Sequence, residues 1–263
     1  MHRLLPMVIV AALALLPWRT AMAQALVAAA SDLQFALSEL AEAFERDSGE
    51  PLRLVFGSSG NLTRQIANGA PFELFLSADE AYVERLVEGD HTRDDGALYA
   101  QGRLVLLLPA GSPLFEDGAV DDLRLEDLGE AVAAGHLTRL AIANPEHAPY
   151  GRAAREALEA SGVWEALQPT LVLGENVSQA AQFALTGAAQ GGLVAYSLVL
   201  APTMEGRGDY ALIDETLHSP LRQRMVLTRK AGAVAEAFYD YLQTEEARDL
   251  LDRYGFALPD AVE

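Results

Sequence analysis

From residue 25 onward, short apolar runs alternate with stretches whose apolar positions recur every three or four residues. The runs at 25–30, 52–56, 72–76, 103–109, 140–144, 171–173 and 191–196 have strand length and end in Gly, Pro or polar residues. Leu33, Leu37, Leu40, Ala41 and Phe44 mark one helical face, and Leu62, Ile66 and Ala67 mark another. Ser77-Ala-Asp-Glu80 reads as a capping box opening a third helix. Residues 151–158 and 177–185 continue the helical pattern. A run at 224–228 looks like a strand returning to the first half, before helices at 234–241 and 245–254. This alternation predicts α/β layers with largely parallel sheets. No repeat, low-complexity block or flexible linker interrupts it. Two lobes joined by short extended crossings near Gly102 and His218 are therefore expected. The first would hold residues 24–102, with 218–263 returning to it, and the second residues 103–217.

The first 23 residues stand outside this pattern. Met1-His-Arg3 is basic, residues 4–17 are apolar, and Ala21-Met-Ala23 has the small-x-small form of a cleavage site. They predict a signal peptide, a mature chain starting at Gln24 and a periplasmic destination. The apolar run is short for a spanning helix, so no direct membrane insertion is expected. The chain has no cysteine, which excludes disulfides and thiolate metal sites.

Charge narrows the partners. The net charge is −19, and residues 1–23 carry Arg3 and Arg19 but no acid, so their removal would bring it to −21. Such a surface suits neither nucleic acid nor an anionic membrane. A small anion remains possible if local dipoles hold it. Residues 116–130 are acidic and poor in core positions. They read as a solvated face, with docking to basic residues of a partner as the alternative.

Four strand-to-helix junctions carry chemistry of that kind. Ser31-Asp-Leu-Gln34 reads as a capping box, and Gly57-Ser-Ser-Gly60 as a glycine-flanked pair of hydroxyls. Residues 144–151 enter a helix through Pro149, and Asn176 is placed to cap a helix with Gln179 three positions on. Helix starts leave backbone N–H groups unpaired, and these attract anions. In open α/β folds such loops gather at the carboxyl ends of the strands. Converging neutral donors could hold a dianion without Lys or Arg, and their fixed directions would select its size.

Ala28-Ala-Ala-Ser-Asp32, Gly57-Ser-Ser-Gly60, Phe72-Glu-Leu-Phe-Leu-Ser-Ala-Asp79, Asn144-Pro-Glu-His-Ala-Pro-Tyr-Gly151 and Tyr254-Gly-Phe256 occur in this order. Together they resemble the periplasmic molybdate-binding proteins of ABC importers across nearly the whole mature chain. The resemblance implies a two-lobed periplasmic-binding-protein fold that closes on molybdate or tungstate and delivers it to a membrane permease. It implies no enzyme activity, no cofactor, no metal bound directly by protein ligands, and a monomer. The ligands it implies are Ser31, the backbone N–H of Asp32, Ser59, Tyr150 and the backbone N–H of Val177. One branch of the family binds through a strand tyrosine, but the matching position here is Ala195. Tyr196 falls one place late and is assigned to the core, leaving Tyr150 as the tyrosine ligand.

Asp32 allows two readings. Its side chain points away and only its N–H contributes, or it accepts a proton from the ligand, which would favour hydrogen phosphate. Binding of phosphate or sulfate is thus the alternative ligand reading. Ser58 and Ser59 raise a serine hydrolase, but the Gly-x-Ser-x-Gly elbow is missing. His91, His136, His147 and His218 lack metal-ligand spacing. Asn61-Leu-Thr63 and Asn176-Val-Ser178 match glycosylation sequons at the frequency chance provides.

Overall fold

Strand β1 (Ala25–Ala30) has alanine, a poor strand former, at four of its six positions, and its place explains how it survives. It runs between two neighbours with almost every side chain buried, where small residues let helices press on both faces. This computed structural model describes residues 24–112, 114 and 123–258; the expected signal peptide and residues 116–122 of the acidic stretch lie outside them. Helix α1 (Gln34–Ser48) buries Ala36, Leu37, Leu40, Ala43 and Phe44, the predicted face, and ends on left-handed Gly49. The chain continues through β2 (Leu52–Gly57), α2 (Ser59–Ala67), β3 (Leu74–Ser77), α3 (Glu80–Glu88) and β4 (Ala97–Gly102).

One residue later β5 (Leu104–Pro109) begins the second sheet. It is followed by α4 (Leu125–Ala133), β6 (Leu140–Ala143), α5 (Pro149–Ala160), α6 (Trp164–Leu167) and β7 (Leu171–Gly174). Next come α7 (Val177–Leu185), β8 (Gly192–Ala195), α8 (Tyr196–Val199) and β9 (Gly208–Leu212). Strand β10 (Leu221–Leu227) returns to the first sheet, and α9 (Ala233–Tyr241) and α10 (Glu245–Arg253) complete the described fold. Phe238 and Tyr241 of α9 pack their rings on Phe44, at centroid distances of 5.1 and 5.6 Å, which fastens the end of the chain to α1.

The sheets are built alike, in the orders β2-β1-β3-β10-β4 and β7-β6-β8-β5-β9. Three strands of each run parallel, β1 with β2 and β3, and β6 with β7 and β8. The other two, β10 with β4 and β5 with β9, are antiparallel additions. Helices flank both sheets, giving a two-lobed α/β molecule. No helix among the described residues is long and apolar enough to cross a membrane.

Several local expectations need correction. Strands β4 and β9 are not among the expected strands; both are edge strands, β9 with a polar start and β4 with only a four-residue apolar run at 97–100, held by pairing with β10. The cap of α3 is Asp79, whose carboxylate accepts the Ala81 N–H at 3.0 Å, while Ser77 Oγ bonds the backbone of Asp79 instead. Ser31 does not form a capping box either, because its hydroxyl is engaged by the opposite lobe.

Candidate functional site

The parallel strands of both sheets deliver their carboxyl ends to one place. A narrow cavity lies there. Ala30–Asp32 after β1 and Gly57–Ser59 after β2 line it from the first lobe, with Ala78 after β3. Ala148–Tyr150 after β6 and Val177 after β7 line it from the second. All five residues expected from the sequence, Ser31, Asp32, Ser59, Tyr150 and Val177, are among the lining residues, and none of the lining residues is a cation.

What these loops can donate follows from what their groups already do. Neither the Ser31–Leu33 turn nor α2 nor α5 has a side chain capping its start. At α7, Asn176 caps the Gln179 N–H at 3.0 Å, as its position suggested, and does not reach Val177. Main-chain N–H groups in the first turn have no acceptor within their own helix. Four helix starts therefore aim dipoles and N–H groups at the cavity.

The two serines add hydroxyls. Ser59 Oγ, fully buried, accepts the Ala78 N–H at 3.0 Å, and Ser31 Oγ accepts the Ser178 N–H at 3.3 Å. A hydroxyl has one proton to give. With the oxygens occupied as acceptors, each O–H is left to donate elsewhere. Ser58 differs, since its Oγ lies 2.9 Å from His147 Nδ1 and its hydrogen bond is spent there.

Asp32 is buried with its carboxyl turned to β10, where Gln223 Nε2 donates to Oδ2 at 2.5 Å. Burial lifts its pKa to about 6, against the opposing pull of the Gln223 and Tyr150 contacts. The Tyr150 ring lines the cavity, but its hydroxyl ends beside Gly102, close enough to Asp32 and Gln223 to feel both while meeting strict hydrogen-bond geometry with neither. Burial, followed by the Asp32 charge, pushes the Tyr150 hydroxyl well above its ordinary pKa, so it stays neutral.

Against known families, residues 25–257 match the model described as bacterial extracellular solute-binding protein. The chain belongs to that family. It is 37% identical to the molybdate-binding protein ModA of Rhodobacter capsulatus over 236 residues, covering 89% of this chain and 88% of the relative. It is 36% identical to ModA of Azotobacter vinelandii, with 90% of each chain covered. The solved periplasmic molybdate-binding protein of Azotobacter vinelandii superposes with a TM-score of 0.79 at 29% identity, covering 90% of this chain and all of that one. These relatives are solute-binding proteins and not enzymes.

The structure also shows contacts that sequence reasoning missed, which join the two lobes. The His147 carbonyl accepts the Gly60 N–H at 3.0 Å, on top of the Ser58 contact. His147, which lacks metal-ligand spacing, is thus a buried tether of the second lobe. With the Glu175 carboxylate 3.7 Å from Nε2 and largely exposed, the group looks like a serine triad; in a solute-binding protein it joins lobes. Arg152 pairs with Asp79 at 2.7 Å, Ser178 Oγ donates to the Ser31 carbonyl at 2.7 Å, and Ser197 Oγ donates to the Asp32 carbonyl at 2.7 Å. Tyr196 lies away from the cavity, its ring under Arg103 and its hydroxyl 3.5 Å from that of Tyr210. No cluster of three or more potential metal ligands occurs among the described residues.

Proposed function

We propose that this chain captures molybdate, and tungstate nearly as well, between its lobes in the periplasm and delivers it as a monomer to the permease of an ABC importer. The observation that carries this reading is the pair of serines whose oxygens are occupied by N–H groups, leaving two O–H donors beside four helix starts, three of them without a side-chain cap. Ser31, Ser59 and the main-chain N–H groups of Asp32, Tyr150 and Val177 are the proposed ligands. A donor set without formal charge binds a dianion through charge-assisted hydrogen bonds and rejects ions whose oxygens fall out of reach. The relatives named molybdate-binding proteins support the choice of ion. Hydrogen phosphate would need the Asp32 carboxyl to accept its proton; Gln223 holds Oδ2 of that carboxyl, and Oδ1 is buried without a partner, which makes phosphate the ion to set against molybdate.

Calorimetric titration with molybdate, tungstate, sulfate and phosphate tests the proposal. Tight binding of the first two and weak binding of the last two is expected. Preference for phosphate would overturn the ligand, and silence with all four would overturn the carrier.

A further inference from the structure

A buried polar chain lies where the lobes cross over, and no ligand contact requires it. Gln223 has no exposed surface and sits on β10 where the pairing with β4 slips between Gln223 and Arg224. Such a bulge re-aims a side chain. The amide meets Asp32 Oδ2 through Nε2 at 2.5 Å and accepts the Tyr99 O–H through Oε1 at 2.7 Å. On the other side of Asp32, its carbonyl accepts Ser197 Oγ from the second lobe. Above the same amide stands the Tyr150 hydroxyl. A Cβ added to Gly102 would fall 2.1 Å from that hydroxyl and 2.9 Å from Gln223 Nε2. One amide of the first lobe thus adjoins both the Ser31–Asp32 turn and the ring whose main chain supplies a donor from the second lobe.

We propose that Gln223 is a positioning residue for oxyanion capture: by holding the Asp32 carboxyl it fixes the first donor loop in the register that the second lobe meets on closure. The inference rests on the carrier reading above. Without the amide, a buried carboxylate loses its donor and leans on the others beside it, the Tyr150 hydroxyl and the main-chain N–H groups of Leu33 and of Asp32, the last a proposed ligand. For that N–H it would compete with the incoming dianion.

The test uses the full mature chain. Because it has no cysteine, Cys introduced at exposed Glu42 of α1 and Glu165 of α6 would carry a fluorophore pair reporting the distance between lobes. Gln223→Leu is expected to weaken molybdate binding about tenfold or more, mainly through faster dissociation, and to lengthen the interlobe distance of the free protein. Exchanging the partners, Asp32→Asn with Gln223→Glu, lets the new amide donate to the new carboxylate and Tyr99 donate as before. Affinity should then return to within about threefold of the starting protein. Gln223→Asn, which keeps the amide at shorter reach, should fall between and serves if the leucine variant does not fold. Unchanged affinity and distance in Gln223→Leu would overturn the proposal, as would a loss that the exchange fails to rescue while melting and circular dichroism stay normal. If the starting protein binds no oxyanion, the carrier reading falls, and the interlobe distance of the free protein still decides the role of Gln223.

Discussion

The first lobe offers side chains to the cavity and the second offers mainly its backbone. Ser31 and Ser59 come from the first lobe, each with its oxygen already occupied by an N–H group. From the second, the proposed donors are the N–H groups of Tyr150 and Val177, at the starts of α5 and α7. The sheets are built alike, and each sends at least two of its strand-to-helix junctions to the cavity. A shared scaffold therefore supports two ways of making a neutral donor, one open to side-chain mutation and one nearly closed to it.

The largest effect expected from this contrast concerns Asp32, the acid in the side-chain half. Its folded pKa of about 6 lies above the ordinary value of 3.8, so the folded protein holds the proton more tightly. Stability should fall as pH rises from about 4 to about 6, then level, for a total of about 3 kcal/mol from this group. Asp32→Asn should remove that slope and gain stability at pH 7. Denaturant unfolding of both proteins between pH 4 and 8 measures the difference, and parallel curves would refute it. Next, Ser59→Ala should weaken molybdate binding by about 1.5–3 kcal/mol, the range for a hydrogen bond to a charged group. Calorimetry reads this directly, and Ser58→Ala, whose hydroxyl is spent on His147, should lose less.

Gly60→Ala tests closure without deleting a donor of either kind. Its Cβ would fall 2.7 Å from the His147 carbonyl oxygen and 3.0 Å from the Tyr82 ring, so the lobes must part slightly. An overpacking penalty of about 1–3 kcal/mol should appear as lost affinity, with the isolated lobes otherwise intact by circular dichroism. The smallest effects belong to the backbone half. Tyr150→Phe and Val177→Ala should each change binding by less than about 0.5 kcal/mol, because a main-chain N–H survives both. A large loss in Tyr150→Phe would place its hydroxyl on the ion and erase the contrast.

Much of this design was legible in the chain because it is local. The run at 25–30, the Gly57–Gly60 turn, Pro149 and the Asn176 cap each announce their structure within a few positions. Strand β9 was not legible, since pairing with β5 and not its polar-led composition makes it a strand, and β4 offers only the four apolar residues at 97–100 before Gln101. The fate of Asp32 was equally hidden. Its two open readings depend on Gln223, 191 positions away, and nothing near residue 32 signals that partner. His147 fails in the same way, as its ring partner Ser58 lies 89 positions back. Ser31 reads as a local cap only until a second lobe competes for its oxygen.

The main-chain donors at the starts of α5 and α7 have a consequence for how this protein can drift over generations. Residues 150 and 177 can exchange side chains while the N–H vectors remain where the helices put them. Half of the recognition code is therefore stored in the path of the chain, where a comparison of residue letters would record it as variation.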